Sequence, residues 1–396
     1  MVRRVVLIGN HAVAEAVKMA RVQVVAAYPI TPQTIIVERI AEMVERGELN
    51  AKYIRVESEH SALAAVYGAA MGGARAFTAT SSHGLLYMYE MLWWAAYSKA
   101  PIVMAVVTRT IGPPWNIHSD HHDILSVRDS GWIIAMAENV QEAFDLTLQA
   151  FRIGEDKRVL QPVMVGLDAF VLSHTAEPLE LPEQSDVDAW LPPREPLPFV
   201  MEPGKPFAVG NVGPNEFTME LRWCVWRAME RAKRVIKEVD EEYRKIAGRS
   251  YGGLVERYRL EDAKYVVVAW GAWCGDMKEA VDILRSEGYP IGLLRIRFAR
   301  PFPREELIEA ASGAKAMLVM DRAVSMGMEG IFSMEVKSVV GGRVPVKNVV
   351  AGLGGVDVSY DEFVEIFRKF IDEYESGKYI DWTLPEWYMP WRGGSR

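Results

Sequence analysis

Cysteine is almost absent from this sequence: the 396 residues contain only Cys224 and Cys274, and no Cys-X-X-Cys pair. A disulfide framework needs several paired cysteines, and iron–sulfur or structural zinc sites need about four closely spaced ligands. The chain therefore cannot build such a site on its own, and we expect it to hold no metal.

Long apolar runs and excess positive charge are also missing. No stretch approaches the roughly 20 apolar residues of a membrane span, and the apolar residues 5–8 lack a following cleavage pattern, so they predict a first strand. The formal net charge is −8 without any basic tract, which argues against a nucleic-acid surface. We expect a cytoplasmic protein without membrane or nucleic-acid partners. Scarce Asn and Gln hint at a thermophilic source.

Two regions alternate apolar strands with amphipathic helices. In residues 1–180, strands are predicted at 5–8, 22–27, 54–56, 75–79, 102–108 and 162–167, and in residues 259–378 at 265–270, 291–296, 316–320 and 346–351. Helices predicted between them include those at 84–98 and 274–286. Uninterrupted apolar strands that alternate with helices predict a mostly parallel sheet covered on both faces. The expected fold is therefore α/β, with two doubly wound parallel-sheet domains.

A connection and a tail complete the predicted organisation. Residues 181–258 begin with a Pro-rich segment and continue into a long charged helix at about 216–244, which ends before Gly248 and braces the two domains. Residues 379–396 form an aromatic and Pro-rich tail that contains Trp382, Trp387 and Trp391. We expect this tail to strap onto a partner or onto its own domain.

Residues 55–73 place two carboxylates and a histidine at the start of a helix of small residues. Ser58 or Ser61 can cap this helix, which puts Glu59 in or next to the first turn. The small residues Ala62, Ala65, Ala69 and Gly72 or Gly73 then share one face that another backbone can approach closely. A capped helix with a solvated glutamate is the plainer alternative.

Thr31 and Arg109 both follow predicted strands, and Thr31 is expected to cap the helix predicted at 33–46. Ligands bind at the carboxyl edge of open α/β sheets, so Thr31, Glu59 and Arg109 are expected to converge there. Arg109 is placed either to clamp a small carboxylate or to form an ordinary ion pair with Asp120 or Asp123.

Two further patterns favour structural interpretations. His118, His121 and His122 lie close together, and imidazole with carboxylate is a common metal-ligand set, but adjacent His121 and His122 would point apart in most regular structures. We therefore expect a hydrogen-bonding loop. The Gly-rich residues 271–275 and 352–355 lack the pattern of a dinucleotide fingerprint, so NAD and FAD are not expected.

Several motifs together carry a family resemblance, in order from Gly9 to about residue 370. They are residues 28–32 (YPITP), 57–59 (ESE), 108–109 (TR), 114–117 (PWNI), 120–123 (DHHD), 128–132 (RDSGW), 173–174 (SH) and 321–327 (DRAVSMG). The sequence resembles the α chain of archaeal-type pyruvate:ferredoxin oxidoreductase, a 2-oxoacid:ferredoxin oxidoreductase. The resemblance implies a thiamine-diphosphate pyrimidine-type domain followed by a transketolase C-terminal-like domain.

The resemblance also assigns roles to the converging residues. Glu59 matches the glutamate that faces the aminopyrimidine ring of thiamine diphosphate, where a shielded carboxylate sharing a proton with the ring assists removal of the reactive C2 proton. Pro29 and Ile30 are expected to line the same cofactor site. Thr31 and Arg109 match residues that bind the 2-oxoacid.

The family's remaining parts are expected on other chains. The sequence has no GDG motif with a following Asn for a metal and diphosphate, and too few cysteines for clusters. The resemblance implies a heterotetramer in which a β chain shares the thiamine diphosphate and supplies Mg²⁺ and [4Fe–4S] chemistry, together with γ and ferredoxin-like δ chains.

The implied reaction is oxidative decarboxylation of pyruvate with coenzyme A, giving acetyl-CoA and CO₂, with electrons passed to ferredoxin. A branched-chain 2-oxoacid (2-oxoisovalerate) enzyme is the main alternative. A non-catalytic scaffold subunit and a self-contained thiamine enzyme are two others. Joint retention of Thr31, Glu59 and Arg109 argues against a scaffold, and the missing diphosphate motif argues against a self-contained enzyme.

Overall fold

The computed structural model describes residues 3–197, 203–206, 208–392 and 394–395. Part of the predicted Pro-rich connection (198–202 and 207) and residues 393 and 396 of the predicted tail lie outside the described residues. The strands are β1 Arg3–Ile8, β2 Val24–Ala27, β3 Lys52–Arg55, β4 Ala76–Thr80, β5 Ile102–Thr108, β6 Ile133–Met136, β7 Val163–Asp168, β8 Ala176–Leu181, β9 Val255–Tyr258, β10 Tyr265–Ala269, β11 Ile291–Ile296, β12 Phe298–Arg300, β13 Ala316–Asp321, β14 Val346–Val350, β15 Glu386–Met389 and β16 Gly394–Ser395.

Helices separate most of these strands, as expected for crossover connections between parallel strands. They are α1 Gly9–Met19, α2 Thr34–Glu45, α3 Glu59–Met71, α4 Ser82–Tyr87, α5 Tyr89–Tyr97, α6 His122–Ser126, α7 Val140–Gly154, α8 Gln184–Trp190, α9 Asn215–Ala247, α10 Cys274–Ser286, α11 Arg304–Gly313, α12 Ile331–Val340 and α13 Tyr360–Glu375. No helix among the described residues is both long and apolar enough to cross a membrane.

The first sheet has the strand order β12-β6-β7-β5-β4-β2-β3. All neighbours in it are parallel except β12, which runs antiparallel to β6. Every residue of β4, β5 and β7 is buried, as expected for central strands covered by helices on both faces. The carboxyl ends of β2, β4 and β5 consequently meet at one edge of this sheet.

The second sheet has the order β16-β15-β14-β13-β10-β11-β9. Its central strands β10, β11, β13 and β14 are parallel, whereas β9 pairs antiparallel with β11. Within the predicted tail, β15 pairs with β14, so this part straps onto its own domain. The two sheets confirm the predicted α/β class.

Three local predictions were wrong. Residues 5–8 do form a strand, but β1 pairs antiparallel with β8 in a separate two-stranded sheet, and β8 lies partly within the predicted connection. The helix predicted at 84–98 is two helices, α4 and α5. Thr31 does not cap α2, because the helix begins at Thr34 with Gln33 as its N-cap, and the Thr31–Pro32 bond is cis.

Buried ion pairs join the two domains. Glu142 of α7 accepts hydrogen bonds from Arg295 (2.7 Å) and from Arg297 (2.6 Å), and all three side chains are fully buried. Burial alone would raise the pKa of Glu142, but the two guanidinium groups lower it to about 2. Because β12 follows these arginines and completes the first sheet, the domains share one continuous interior.

We predict that Glu142→Gln lowers the free energy of unfolding of the full chain by about 3 kcal/mol, because it leaves buried guanidinium groups without their carboxylate. A folded-state pKa below the ordinary 4.5 stabilises the fold above that pH, so the difference from wild type should shrink as the pH falls toward 2. Urea unfolding measures both effects.

The matched control is Glu180→Gln, which removes an exposed pair with Arg4 (2.8 Å) and should cost less than about 1 kcal/mol. Equal losses for the two variants would show that the buried cluster contributes no more than a surface ion pair.

Candidate active site

Glu59 is the first residue of α3, as predicted. The Ser58 side chain caps the helix by accepting a hydrogen bond from the Ser61 backbone N–H (3.2 Å). Glu59 is only 7% exposed. The predicted small-residue face is partly covered: Ala62 is buried, Ala65 and Ala69 are half-buried and Gly72 is exposed.

Backbone packs directly against the Glu59 side chain. Gly84, in α4, approaches it so closely that a Cβ atom added there would lie 2.6 Å from Glu59 Oε1 and 2.6 Å from Thr80 Oγ1. Within the described chain, no group donates a hydrogen bond to the Glu59 carboxylate, and the buried Thr80 hydroxyl has no partner either. The position between β4 and α3 thus holds a shielded carboxylate with unused acceptor capacity.

Arg109 follows β5 and lies at the same edge of the sheet. Its Nη1 donates a hydrogen bond to the Thr31 carbonyl oxygen (2.6 Å), and its guanidinium lies over the Trp115 ring at 4.9 Å. Burial lowers the pKa of Arg109, although nearby Asp123 and Glu59 act to raise it. The structure therefore brings Thr31, Glu59 and Arg109 together.

The alternative ion pair between Arg109 and an aspartate of the loop is not formed in the described chain. Asp123 instead accepts the Arg109 backbone N–H (2.9 Å), and Asp120 contacts His122 Nδ1 (3.2 Å). The Arg109 Nε is buried without a hydrogen-bond partner. Within the described chain, the Nε–Nη2 edge of the guanidinium therefore has no acceptor. Among the described residues, its one polar contact is that of Nη2 with His83.

His83 is a site residue that the sequence analysis missed. Its Nε2 accepts the Gly112 backbone N–H (3.0 Å), which assigns the proton of the neutral ring to Nδ1. Nδ1 lies 3.4 Å from both Arg109 Nη2 and Ser82 Oγ. With its proton on Nδ1, the ring can donate to the serine oxygen but cannot accept from the arginine. The only sequence signal was its place next to Gly84, just after a predicted strand.

The loop of residues 28–33 is fixed from two sides. Asn10 Nδ2 donates to the Pro32 carbonyl oxygen (2.9 Å), and Gln33 Nε2 donates to the Tyr28 carbonyl oxygen (2.8 Å). Pro29 and Thr31 are exposed on this loop and Ile30 is half-buried. The predicted cofactor and substrate positions therefore lie on a rigid, accessible rim next to Arg109.

Asp123 ties two parts of the site together. Its Oδ2 accepts the backbone N–H groups of Ser82 and Arg109, both at 2.9 Å. Burial raises the pKa of Asp123 to about 7, although these N–H groups act to lower it. The carboxylate holds the start of α4 against the end of β5, and so fixes the spacing between Gly84 and Arg109.

The histidine-rich loop forms hydrogen bonds, and its histidines face different partners. His121 Nε2 lies 3.0 Å from Asp168 Oδ1, and burial lowers the pKa of His121. His122 Nε2 instead accepts the Val324 backbone N–H (3.0 Å). Across the part of the chain that the structure describes, no cluster of three or more His, Cys, Asp or Glu side chains is arranged to hold a metal ion.

Most of the chain matches two models of known families. Residues 15–241 match the model for "Pyruvate flavodoxin/ferredoxin oxidoreductase, thiamine diP-bdg", and residues 263–363 match "Pyruvate:ferredoxin oxidoreductase core domain II". The chain belongs to the 2-oxoacid:ferredoxin oxidoreductase family. The α chains of this family of oxidoreductases work with partner subunits, and the family resemblance of the motifs is confirmed.

Relatives of this α chain carry two kinds of name. It is 47% identical over 386 residues to ketoisovalerate oxidoreductase subunit VorA of Pyrococcus abyssi, covering 97% of each chain. It is also 47% identical over 365 residues to pyruvate synthase subunit PorA of Methanocaldococcus jannaschii, covering 92% of this chain and 94% of that one. The PorA of Pyrococcus furiosus is 43% identical over 392 residues, 98% of this chain and 99% of that one.

Solved structures support the fold of the α chain. A chain of 2-oxoglutarate:ferredoxin oxidoreductase from Magnetococcus marinus superimposes with a TM-score of 0.72 at 19% identity; the match covers 93% of the α chain and 65% of that chain. A split-gene transketolase gives a TM-score of 0.52 at 14% identity, covering 92% and 97%. Both matches agree with the two α/β domains described above.

We predict that Gly84→Ala lowers kcat of the assembled enzyme by about 100-fold, because the new methyl group must displace the Glu59 carboxylate and a misplacement of about 1 Å can cost that much. Steady-state assays of the complex measure this. Gly313→Ala is the control, since no atom lies within 4 Å of a Cβ added there. Undiminished kcat in Gly84→Ala would contradict a role for the Glu59 position.

Proposed function

We propose that this α chain supplies the pyrimidine-facing carboxylate and the substrate-carboxylate clamp of an enzyme that oxidatively decarboxylates pyruvate. Pyruvate and coenzyme A would give acetyl-CoA and CO₂, and two electrons would pass to ferredoxin. The observation that carries the proposal is the guanidinium of Arg109, which lies beside Thr31 and Glu59 with one edge lacking an acceptor in the described chain.

The Arg109 guanidinium suits a small carboxylate. Nη1 is already held by the Thr31 carbonyl oxygen, so the orientation of the group is set before any substrate binds. The proton on His83 Nδ1 keeps that ring from occupying Nη2, and Nε has no partner. A carboxylate accepted at Nη2 would form a charge-assisted hydrogen bond with a guanidinium group that is already oriented. Thr31 is exposed and its carbonyl oxygen binds Nη1, and we propose that it contacts the same 2-oxoacid.

The residues around Glu59 fit thiamine diphosphate. The Glu59 carboxylate is 7% exposed and has no donor within the described chain, so it could accept a hydrogen bond from a protonated ring nitrogen. When bound, the cofactor provides the electron sink for decarboxylation. Glu59 would hold a proton at that ring, while Pro29 and Ile30 would line the site. The close backbone at Gly84 keeps the carboxylate in place and excludes water from that side.

The rest of the cofactor site is proposed on a partner. Tyr28, on the same loop as Thr31, is 38% exposed, and Trp115, which contacts Arg109, is 53% exposed, so the rim is open to another chain. We propose that a β subunit supplies the diphosphate and Mg²⁺ contacts and a [4Fe–4S] cluster, and that γ and δ subunits complete a cytoplasmic heterotetramer. The two cysteines of this chain support this division, since Cys274 is buried and Cys224 is isolated.

The preferred 2-oxoacid can be tested directly on the native assembly. Dye reduction with coenzyme A should show the highest kcat/KM for pyruvate, compared with 2-oxoisovalerate and 2-oxoglutarate. 2-Oxoisovalerate is the alternative substrate, because a VorA and a PorA chain are equally similar to this one at 47% identity. A higher kcat/KM for 2-oxoisovalerate would replace pyruvate with that substrate, and no activity with any of the three would overturn the proposed reaction.

We predict that Arg109→Leu raises KM for the 2-oxoacid by roughly 10- to 100-fold, the effect of losing charge-assisted hydrogen bonds to a carboxylate. KM for coenzyme A should stay within about twofold, because the guanidinium is not expected to contact it. Arg109→Lys is the matched control: it keeps the charge without the planar fork, and its KM should be intermediate. Equal rises in both KM values would assign Arg109 a purely structural role.

A further inference from the structure

The first turns of α9 lie on the surface of the protein, with one side against α5. Residues 215–224 of this helix are all exposed, and the first buried side chains are Val225 and Ala228. Large apolar side chains are nevertheless frequent there: Met219 is 77% exposed, Trp223 is 56% exposed and Trp226 is 58% exposed. Exposed tryptophans at this density mark an interaction surface.

These apolar side chains share one side of the helix. At 3.6 residues per turn, positions 219, 223 and 226 lie on the side facing away from Val225 and Ala228, with 220 and 227 beside them. We call Met219, Glu220, Trp223, Trp226 and Arg227 the outer face of α9. Phe217 and Leu221 are not part of it, because they turn toward Trp94 and line a cavity of about 520 Å³.

Two charges on the outer face have no opposite partner. Farther along α9, most charged side chains are paired, as in Lys233–Glu230 (3.1 Å) and Arg234–Glu238 (2.6 Å). Among the described residues, neither Glu220 nor Arg227 makes an ion pair; Arg227 only stacks over the Trp223 ring at 5.3 Å. Glu220 precedes Trp223 and Arg227 follows it, so the two charges lie at nearly equal distances along the helix from the tryptophan.

We propose that the outer face of α9 docks against the same face of a second copy of this chain, so that two of the proposed heterotetramers pair through their α chains. If two such helices cross antiparallel with Trp223 at the two-fold axis, Glu220 of each faces Arg227 of the other and Met219 faces Trp226. The face is thus complementary to itself in both charge and apolar content, as an isologous contact requires.

The isolated cysteine provides a probe of this contact. Cys224 is exposed and adjacent to Trp223, whereas Cys274 is buried and will not react. Treating the native complex with a flexible bismaleimide should link Cys224 to Cys224, and mass spectrometry identifies this product unambiguously because a residue linked to itself requires two copies. The absence of this product, or a link from Cys224 to another subunit instead, would overturn the proposal.

Charge reversal tests the predicted pairing. Glu220→Arg should lower the yield of the Cys224–Cys224 link by roughly tenfold. In this variant an arginine at position 220 of each copy faces Arg227 of the other, so the symmetric contact contains two repulsive pairs. The double variant Glu220→Arg with Arg227→Glu restores opposite charges and should recover the wild-type yield. An exposed acid of the second domain, changed by Glu261→Arg, is the control and should leave the yield unchanged.

Failure of the double variant to recover, or a yield insensitive to Glu220→Arg, would overturn the pairing. All changed positions are exposed, and equal thermal unfolding of each variant complex confirms that the fold is intact. The assay does not depend on catalysis, so its outcome is independent of the proposed function.

Discussion

The carboxylate of Asp168, at the end of β7, is the contact on which the site's geometry depends. It accepts hydrogen bonds from Ser119 Oγ (2.6 Å), the Ala272 backbone N–H (2.7 Å) and Arg322 Nη1 (2.9 Å), and it contacts His121 (3.0 Å). Burial alone would raise the pKa of Asp168, but Arg322 and His121 hold it well below its ordinary value. One buried charge thereby fastens the loop after β5 to the second domain.

This fastening explains how a long irregular loop can position Arg109. The segment between β5 and α6 has no regular structure of its own, so its conformation comes from contacts at both ends. Asp123 holds the backbone of Arg109, and Asn116 Nδ2 donates to the Gly354 carbonyl oxygen of the second domain (2.9 Å). The second domain therefore acts as a support for the site.

The sequence predicted the bounds of individual strands and helices better than it predicted which strands pair with each other. Apolar runs and turn signals placed β5, β11 and α10 with the bounds observed, because each depends on local pattern. The pairing of β1 with β8 and the addition of β12 to the first sheet depend on distant partners, which periodicity does not encode. The convergence of Thr31, Glu59 and Arg109 at the sheet edge could be predicted from the order of strands and helices. His83 was missed because its place in the site depends on contacts with Gly112 and Arg109.

The distribution of polar groups also accounts for the dependence of this α chain on partner subunits. Its site holds a carboxylate without a donor and a guanidinium edge without an acceptor, both within the described residues, at a rim of exposed aromatic side chains. The unpaired, buried Nε of Arg109 is unfavourable in an isolated chain, since unpaired buried polar groups cost free energy. Assembly and ligand binding can repay that cost at the site itself. The same strain that destabilises the free site therefore favours the complex in which the reaction occurs.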